Sequence, residues 1–180
     1  MNLKERKLRQ AGVWVLAALV AMTWLAGWAA PAPAAQETVV NVTVVMSGPR
    51  PTVLPAGDSK DHFIGAGQRI GKAVFSDGRE AKYSNVFTFD MQRGKSFNSQ
   101  GYTKMVFADG SWLFFQWKSA VVGRDKNGTL GKGQGVILKG AGAYQGIKGT
   151  ATFSNRQLPP SKEHPQGATE AKAVLRYTLP

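Results

Sequence analysis

The chain has 180 residues, 43% of them hydrophobic and 10% aromatic, enough to bury one core and too apolar for a disordered polypeptide. It has no cysteine, which excludes disulfides, thiolate metal centres and cysteine nucleophiles. Its net charge is +12. The first 35 residues hold four of the 23 cations and one of the 11 anions, so the remainder carries 19 against 10, or +9. That surplus favours acidic partners such as nucleic acid, anionic lipid or polyanionic glycan, although scattered cations equally fit a plain basic surface.

Met1 to Arg9 is a basic start, Ala11 to Ala30 is almost wholly apolar, and Ala32-Pro33-Ala34 offers small residues where a signal peptidase reads. This is the layout of a secretory signal peptide, predicted as a helix within residues 1–34 and followed by a mature domain at 35–180. The competing reading is an uncleaved anchor, because about 20 apolar residues span a bilayer. The Ala-Pro-rich end and the lack of a second charged flank favour cleavage. The expected product is an exported bacterial protein, periplasmic or secreted, with no stable membrane span.

The mature chain reads as strands and turns. Val40, Val42, Val44 and Met46 alternate onto one face, and Ser47 to Asp61 is a proline-rich loop of extended character. His62 to Phe75 is a glycine-interrupted strand ending at Asp77-Gly78, a hairpin signal in which both central positions want positive φ. Glu80 to Met91 places Tyr83, Asn85, Phe87, Phe89 and Met91 on one face. A polar loop, Gln92 to Asn98, leads to Gln100–Phe107 and a second hairpin at Asp109-Gly110. Leu113, Phe115 and Trp117 then share a face, and Asp125-Lys126-Asn127-Gly128 marks a third hairpin. Val136-Ile137-Leu138 and Ile147 to Phe153 flank the tight connection Gly140-Ala141-Gly142-Ala143-Tyr144-Gln145-Gly146. After Phe153 a loop of roughly 16 residues precedes a last strand with Ala171, Ala173, Leu175, Tyr177 and Leu179 on one face. Seven or eight strands joined mainly by hairpins predict an all-β fold, a single closed antiparallel barrel of about eight strands. Glycine-broken strands suit the bends that closure requires.

The stretch from Gly131 to Phe153, GKGQGVILKGAGAYQGIKGTATF, resembles the late hairpin of the allene oxide cyclase and dirigent group of eight-stranded calycin-like barrels. Gly140, Gly142, Tyr144, Gly146, Gly149 and Phe153 sit at that hairpin's spacings, and Gly133 and Gly135 precede it in the same way. The resemblance implies a cofactor-free barrel with an apolar pocket, in dimers or trimers. Relatives of this kind steer cyclisation or coupling of a reactive small molecule by shape. No catalytic motif of the group is carried onto this chain, so catalytic residues stay unassigned.

The residues themselves leave two readings open. Tyr83, Phe87, Phe89, Phe115, Trp117 and Tyr177 fill a core, or they line a ligand cavity in which Asn85 fixes an orientation. His62 and His164, with Asp58, Asp61 and Glu163 near them in sequence, lack the spacing of a metal site, and none is expected. Gly65-Ala66-Gly67-Gln68-Arg69-Ile70-Gly71 has no helix after it, so its glycines read as strand bends and not as a dinucleotide loop. Phe97, Tyr102, Lys104 and Trp112 suggest an exposed basic-aromatic surface for glycan, nucleic acid being excluded by export. The expected function is an exported, cofactor-free barrel binding a small apolar or aromatic ligand, with isomerase or cyclase activity an open question. The alternative is a non-enzymatic envelope protein for interaction or assembly.

Overall fold

The computed structural model describes residues 36–180. The predicted signal helix and cleavage site lie outside the described residues. Within them the chain forms nine strands: β1 Thr38–Ser47, β2 Thr52–Pro55, β3 His62–Phe75, β4 Glu80–Gln92, β5 Ser96–Phe107, β6 Trp112–Asp125, β7 Gly128–Ala141, β8 Lys148–Leu158 and β9 Ala168–Thr178. All pairings are antiparallel, in the order β1-β9-β8-β7-β6-β5-β4-β3-β2. A further pairing of β1 with β3, Val42↔Phe75 to Ser47↔Ile70, closes the sheet into an eight-strand barrel.

β2 is the part the sequence reading misses. Pro49, Pro51 and Pro55 mark Ser47–Asp61 as loop, yet Thr52–Pro55 pairs with Phe63–Ala66. β1 covers the second half of β3 and β2 the first half, with the prolines breaking the chain between them. Two other expectations shift. β8 runs on to Leu158, which shortens the following loop to 159–167. The polar loop before β5 shrinks to Arg93–Lys95, because Ser96–Asn98 already pair with β4 or β6.

The Asp-Gly hairpins form at the predicted places but not with the predicted backbone. No non-glycine residue among those described has positive φ, while Gly78 and Gly110 sit at 86° and 82°. Gly78 N donates to Phe75 O and Phe75 N to Arg79 O, and Gly110 repeats this with Phe107 and Ser111. Ser76-Asp77 and Ala108-Asp109 therefore form the body of the turn, and only the glycine takes the left-handed step. Each Asp uses its carboxylate instead to hold the backbone N–H two residues on, at Arg79 and Ser111.

Strict alternation decides what faces inward. Val40, Val42, Val44 and Met46 of β1 are all buried, as are Met105, Leu113, Phe115, Ile137, Ala151 and Leu175 around the ring. The large rings fit because glycine faces them across the ladder. Gly65 pairs with Phe89, Gly67 with Phe87, Gly101 with Trp117 and Gly133 with Phe153. A Cβ at Gly133 would lie 2.2 Å from the Phe153 ring, and one at Gly65 would lie 2.3 Å from that of Phe89. These glycines are spaces for aromatic rings as well as points of bending.

The two ends differ. At the end formed by Phe75, Phe107 and Tyr177, the Gly140–Gly146 connection folds into a 3-10 turn, Gly142–Tyr144, with Gly142 at φ +63°. The turn lays Tyr144 over the opening, 3% exposed, 4.8 Å from the Phe107 ring and 6.4 Å from that of Tyr177. Arg79 completes the plug. Its guanidinium lies 5.3 Å from the Phe75 ring, donates to the Tyr144 hydroxyl and is held by Asp77 at 2.5 Å. Burial pushes the Tyr144 phenol up to about 12. Among the described residues, no second helical turn covers the opposite end.

Candidate functional site

The open half of the barrel is built from the end of β1, the start of β3, the end of β4, the start of β5, the end of β6, the start of β7, the end of β8 and the start of β9. Two small cavities lie in it. The outer one, about 100 Å³, is bounded by Arg69, Asn85, Phe87, Phe97, Ser99, Trp117, Ser119, Asn155 and Thr169 among others. The inner one, about 60 Å³, lies against Tyr83, Asn85, Met105, Phe115, Trp117, Phe153 and Leu175. Met46, Asn85, Trp117 and Asn155 belong to both walls, so these residues lie between the two cavities.

The polar groups there form a short chain. Asn85 Nδ2 donates to the Tyr83 hydroxyl (3.3 Å), which lies 3.2 Å from the Thr103 hydroxyl. Burial raises the Tyr83 pKa, so the phenol is a neutral donor at ordinary pH. Asn85 Oδ1 and Trp117 Nε1 are buried and have no hydrogen-bond partner among the described residues. Such atoms each cost about 1–3 kcal/mol when left dry. Trp117 reaches this place because Gly101 beside it has no side chain: a Cβ there would lie 2.9 Å from the indole. The indole meets Phe153 edge-on at 6.0 Å.

Of the residues predicted to hold a ligand, Tyr83, Asn85, Phe87, Phe115 and Trp117 come together around the two cavities. Phe89 is buried nearer the rim, stacked on Phe97 at 5.1 Å. Tyr177 is at the plugged end beside Tyr144. Phe97 faces inward, which removes it from the outer surface expected of it: Gly101 and Thr103, of its own parity on β5, are buried. Arg69, Ser99, Ser119 and Asn155 were not singled out from sequence. The signal for Arg69 was present, because it shares the parity of Phe63, Gly65, Gly67 and Phe75, all on the inner face of β3.

The outer wall carries its own features. Tyr102 and Phe114 stack at 5.6 Å with a 4° interplanar angle, Lys104 lies over Trp112 at 4.8 Å, and Lys139 lies over Phe114 at 5.8 Å. A broad outer groove of about 1000 Å³ crosses β2 to β7, lined by Leu54, Ile64, Ala66 and Phe89 together with polar residues such as Thr88, Asn98, Gln100 and Gln134. It holds none of the buried unpaired groups. At the open rim His62 bonds Asp58 through Nδ1 (2.7 Å) and Asp90 through Nε2 (3.0 Å), while His164 lies in the β8–β9 loop. The Asp58 bond, then the Asp90 bond, raises the His62 pKa.

No family model and no curated protein matches the chain. Among solved structures it is similar to two pterocarpan synthase dirigent proteins. For GePTS1 the identity is 15% and the TM-score 0.47, over 82% of this chain and 94% of that one. For PsPTS1 the identity is 13% and the TM-score 0.47, over 81% and 97%.

Proposed function

We propose that the chain is an exported barrel that receives one small, largely aromatic or apolar ligand in its open half. The observation that carries this reading is the pair of buried, unpaired polar atoms, Asn85 Oδ1 and Trp117 Nε1, on residues whose walls two cavities share. A barrel interior meant only to pack would place apolar groups there, since a dry orphan donor and acceptor both cost stability. A ligand carrying one hydroxyl or carbonyl satisfies one of them and buries its ring against Phe87, Phe115 and Trp117. Isomerase or cyclase turnover is the active form of this reading. It would draw on shape, on Arg69 and on the neutral Tyr83 phenol, the titratable groups among the residues that line the two cavities. Native mass spectrometry of the chain purified from its own host tests the binding: one retained small molecule per chain is expected, and a uniformly empty barrel that also ignores single-ring aromatics contradicts it.

A second reading, an envelope protein for interaction, is favoured by the outer wall. Tyr102, Phe114 and Trp112 with Lys104 and Lys139 give flat rings and cations on one face. A polyanionic glycan fits them. On immobilised heparin, retention should vanish as salt shortens the Debye length from about 8 Å at physiological strength toward about 3 Å at 1 M. Salt-insensitive retention refutes a charge-driven contact.

A further inference from the structure

Among the described residues, the outer cavity is lined by one cation and no carboxylate. Arg69 enters from β3 as the cross-strand neighbour of Asn85, with its guanidinium 5.7 Å from the centre of the Phe87 ring. No ion pair or side-chain hydrogen bond ties it to another described residue, whereas Arg79 and Arg156 are each held by an aspartate. Ser99, Ser119, Asn155 and Thr169 around it are neutral. Burial pulls its pKa below the ordinary arginine value, yet a guanidinium stays charged in proteins. A partly buried cation without a counter-ion lowers stability, and on the inner wall it does nothing for strand pairing. Trp117 Nε1, on the same wall, is a second donor that lacks an acceptor.

From these donors we infer that the ligand is an anion, specifically a small aromatic carboxylate with its charge on Arg69 and the Trp117 N–H. The inference rests on the small-ligand reading above and adds the chemical class. Planar guanidinium matches a carboxylate with two parallel hydrogen bonds. The size of the site narrows the class further. Cavities of about 100 and 60 Å³ with shared walls approach the roughly 150 Å³ apolar cavity that accommodates benzene. They suit a single ring better than a polycycle or a long acyl chain. Asn85 Oδ1, an acceptor, takes a hydroxyl on that ring.

The test is calorimetric titration of the full chain at neutral pH with benzoate and 4-hydroxybenzoate, and with the neutral benzyl alcohol and benzamide. The carboxylates are expected to bind about ten- to a hundredfold more tightly than the neutral pair, the range of hydrogen bonds to a charged group. Arg69→Gln should abolish that preference while melting no lower than the wild type, and Arg69→Lys should restore part of it. Equal or tighter binding of the neutral compounds by the wild type overturns the inference and leaves the small-ligand reading standing. A preference that survives in Arg69→Gln also overturns it. If none of the four compounds binds, the inference falls, and the small-ligand reading falls with it where native mass spectrometry also finds the barrel empty.

Discussion

At the scale of single residues, the site differs from the rest of the core in what it leaves unpaired. Elsewhere the buried core is Val, Leu, Ile, Met, Ala or aromatic, and the buried Thr103, Ser111 and Thr169 are not among the residues with an unpaired buried side-chain atom. Asn85 and Trp117 break that pattern. Asn85→Leu removes the orphan carbonyl at the loss of one 3.3 Å bond, so it should leave stability unchanged or raise it by about 1 kcal/mol. Ligand affinity should fall at the same time. Thermal denaturation and titration of one variant measure both, and a large destabilisation would mark Asn85 as structural.

His62 gives a pH dependence of defined sign. Its folded pKa is raised above the ordinary 6.5 by Asp58 and then Asp90, so its contribution is complete below pH 6.5 and is lost as pH rises through the raised value. Asp58, lowered below 3.8 by the same bond, loses its part only as pH falls through that lowered value. The tie between the β2–β3 loop and β4 should therefore be strongest in the mildly acidic window between them. Melting temperatures taken at pH 6 and pH 9 should differ in that direction, and His62→Gln should flatten the difference.

At the scale of elements, alternation and closure into a barrel of about eight strands were legible, and the pairing registers were not. The inward faces of β1, β4, β6 and β9 follow from period-two patterns, and the observed burial follows them, with Phe87, Met91 and Ala173 only half-buried and Ala168 buried against the alternation. β2 escaped because a four-residue strand between prolines carries no periodicity, and only its partner Phe63–Ala66 reveals it. The glycines of β3 and β7 were legible as bends, but their second use, making room for the ring across the ladder, depends on register. Register is a long-range property. Arg69 was passed over for a different reason: its parity with Phe63 and Phe75 is readable within β3, but the glycines between them blur the alternation. The plug formed by Tyr144 was hidden in a stretch that reads simply as a glycine-rich turn. Replacing Gly133 with valine drives a side chain into Phe153 and should cost about 1–3 kcal/mol, the range for overpacking. Gly123→Ala, where nothing lies within 4 Å of the added carbon, is the matched control. Equal melting temperatures for the two would refute the ring-space account.

At the scale of the whole molecule, the described residues form a barrel plugged at one end, with no equivalent plug among them at the other. The Arg79 and Tyr144 plug closes the end where the late hairpin turns, and the polar, partly exposed side chains gather at the opposite mouth. A solid core would have made the aromatic set packing alone. Two modest cavities that share Asn85 and Trp117 make it packing toward the plug and cavity wall toward the mouth. The most direct check reads one atom of that mouth, the Trp117 indole nitrogen. In proton–nitrogen correlation spectra, titration with benzoate or benzyl alcohol should move the indole resonance that disappears in Trp117→Phe, while that of Trp112 on the outer wall stays in place. Movement of the Trp112 signal with a fixed Trp117 signal would contradict a ligand site inside the barrel.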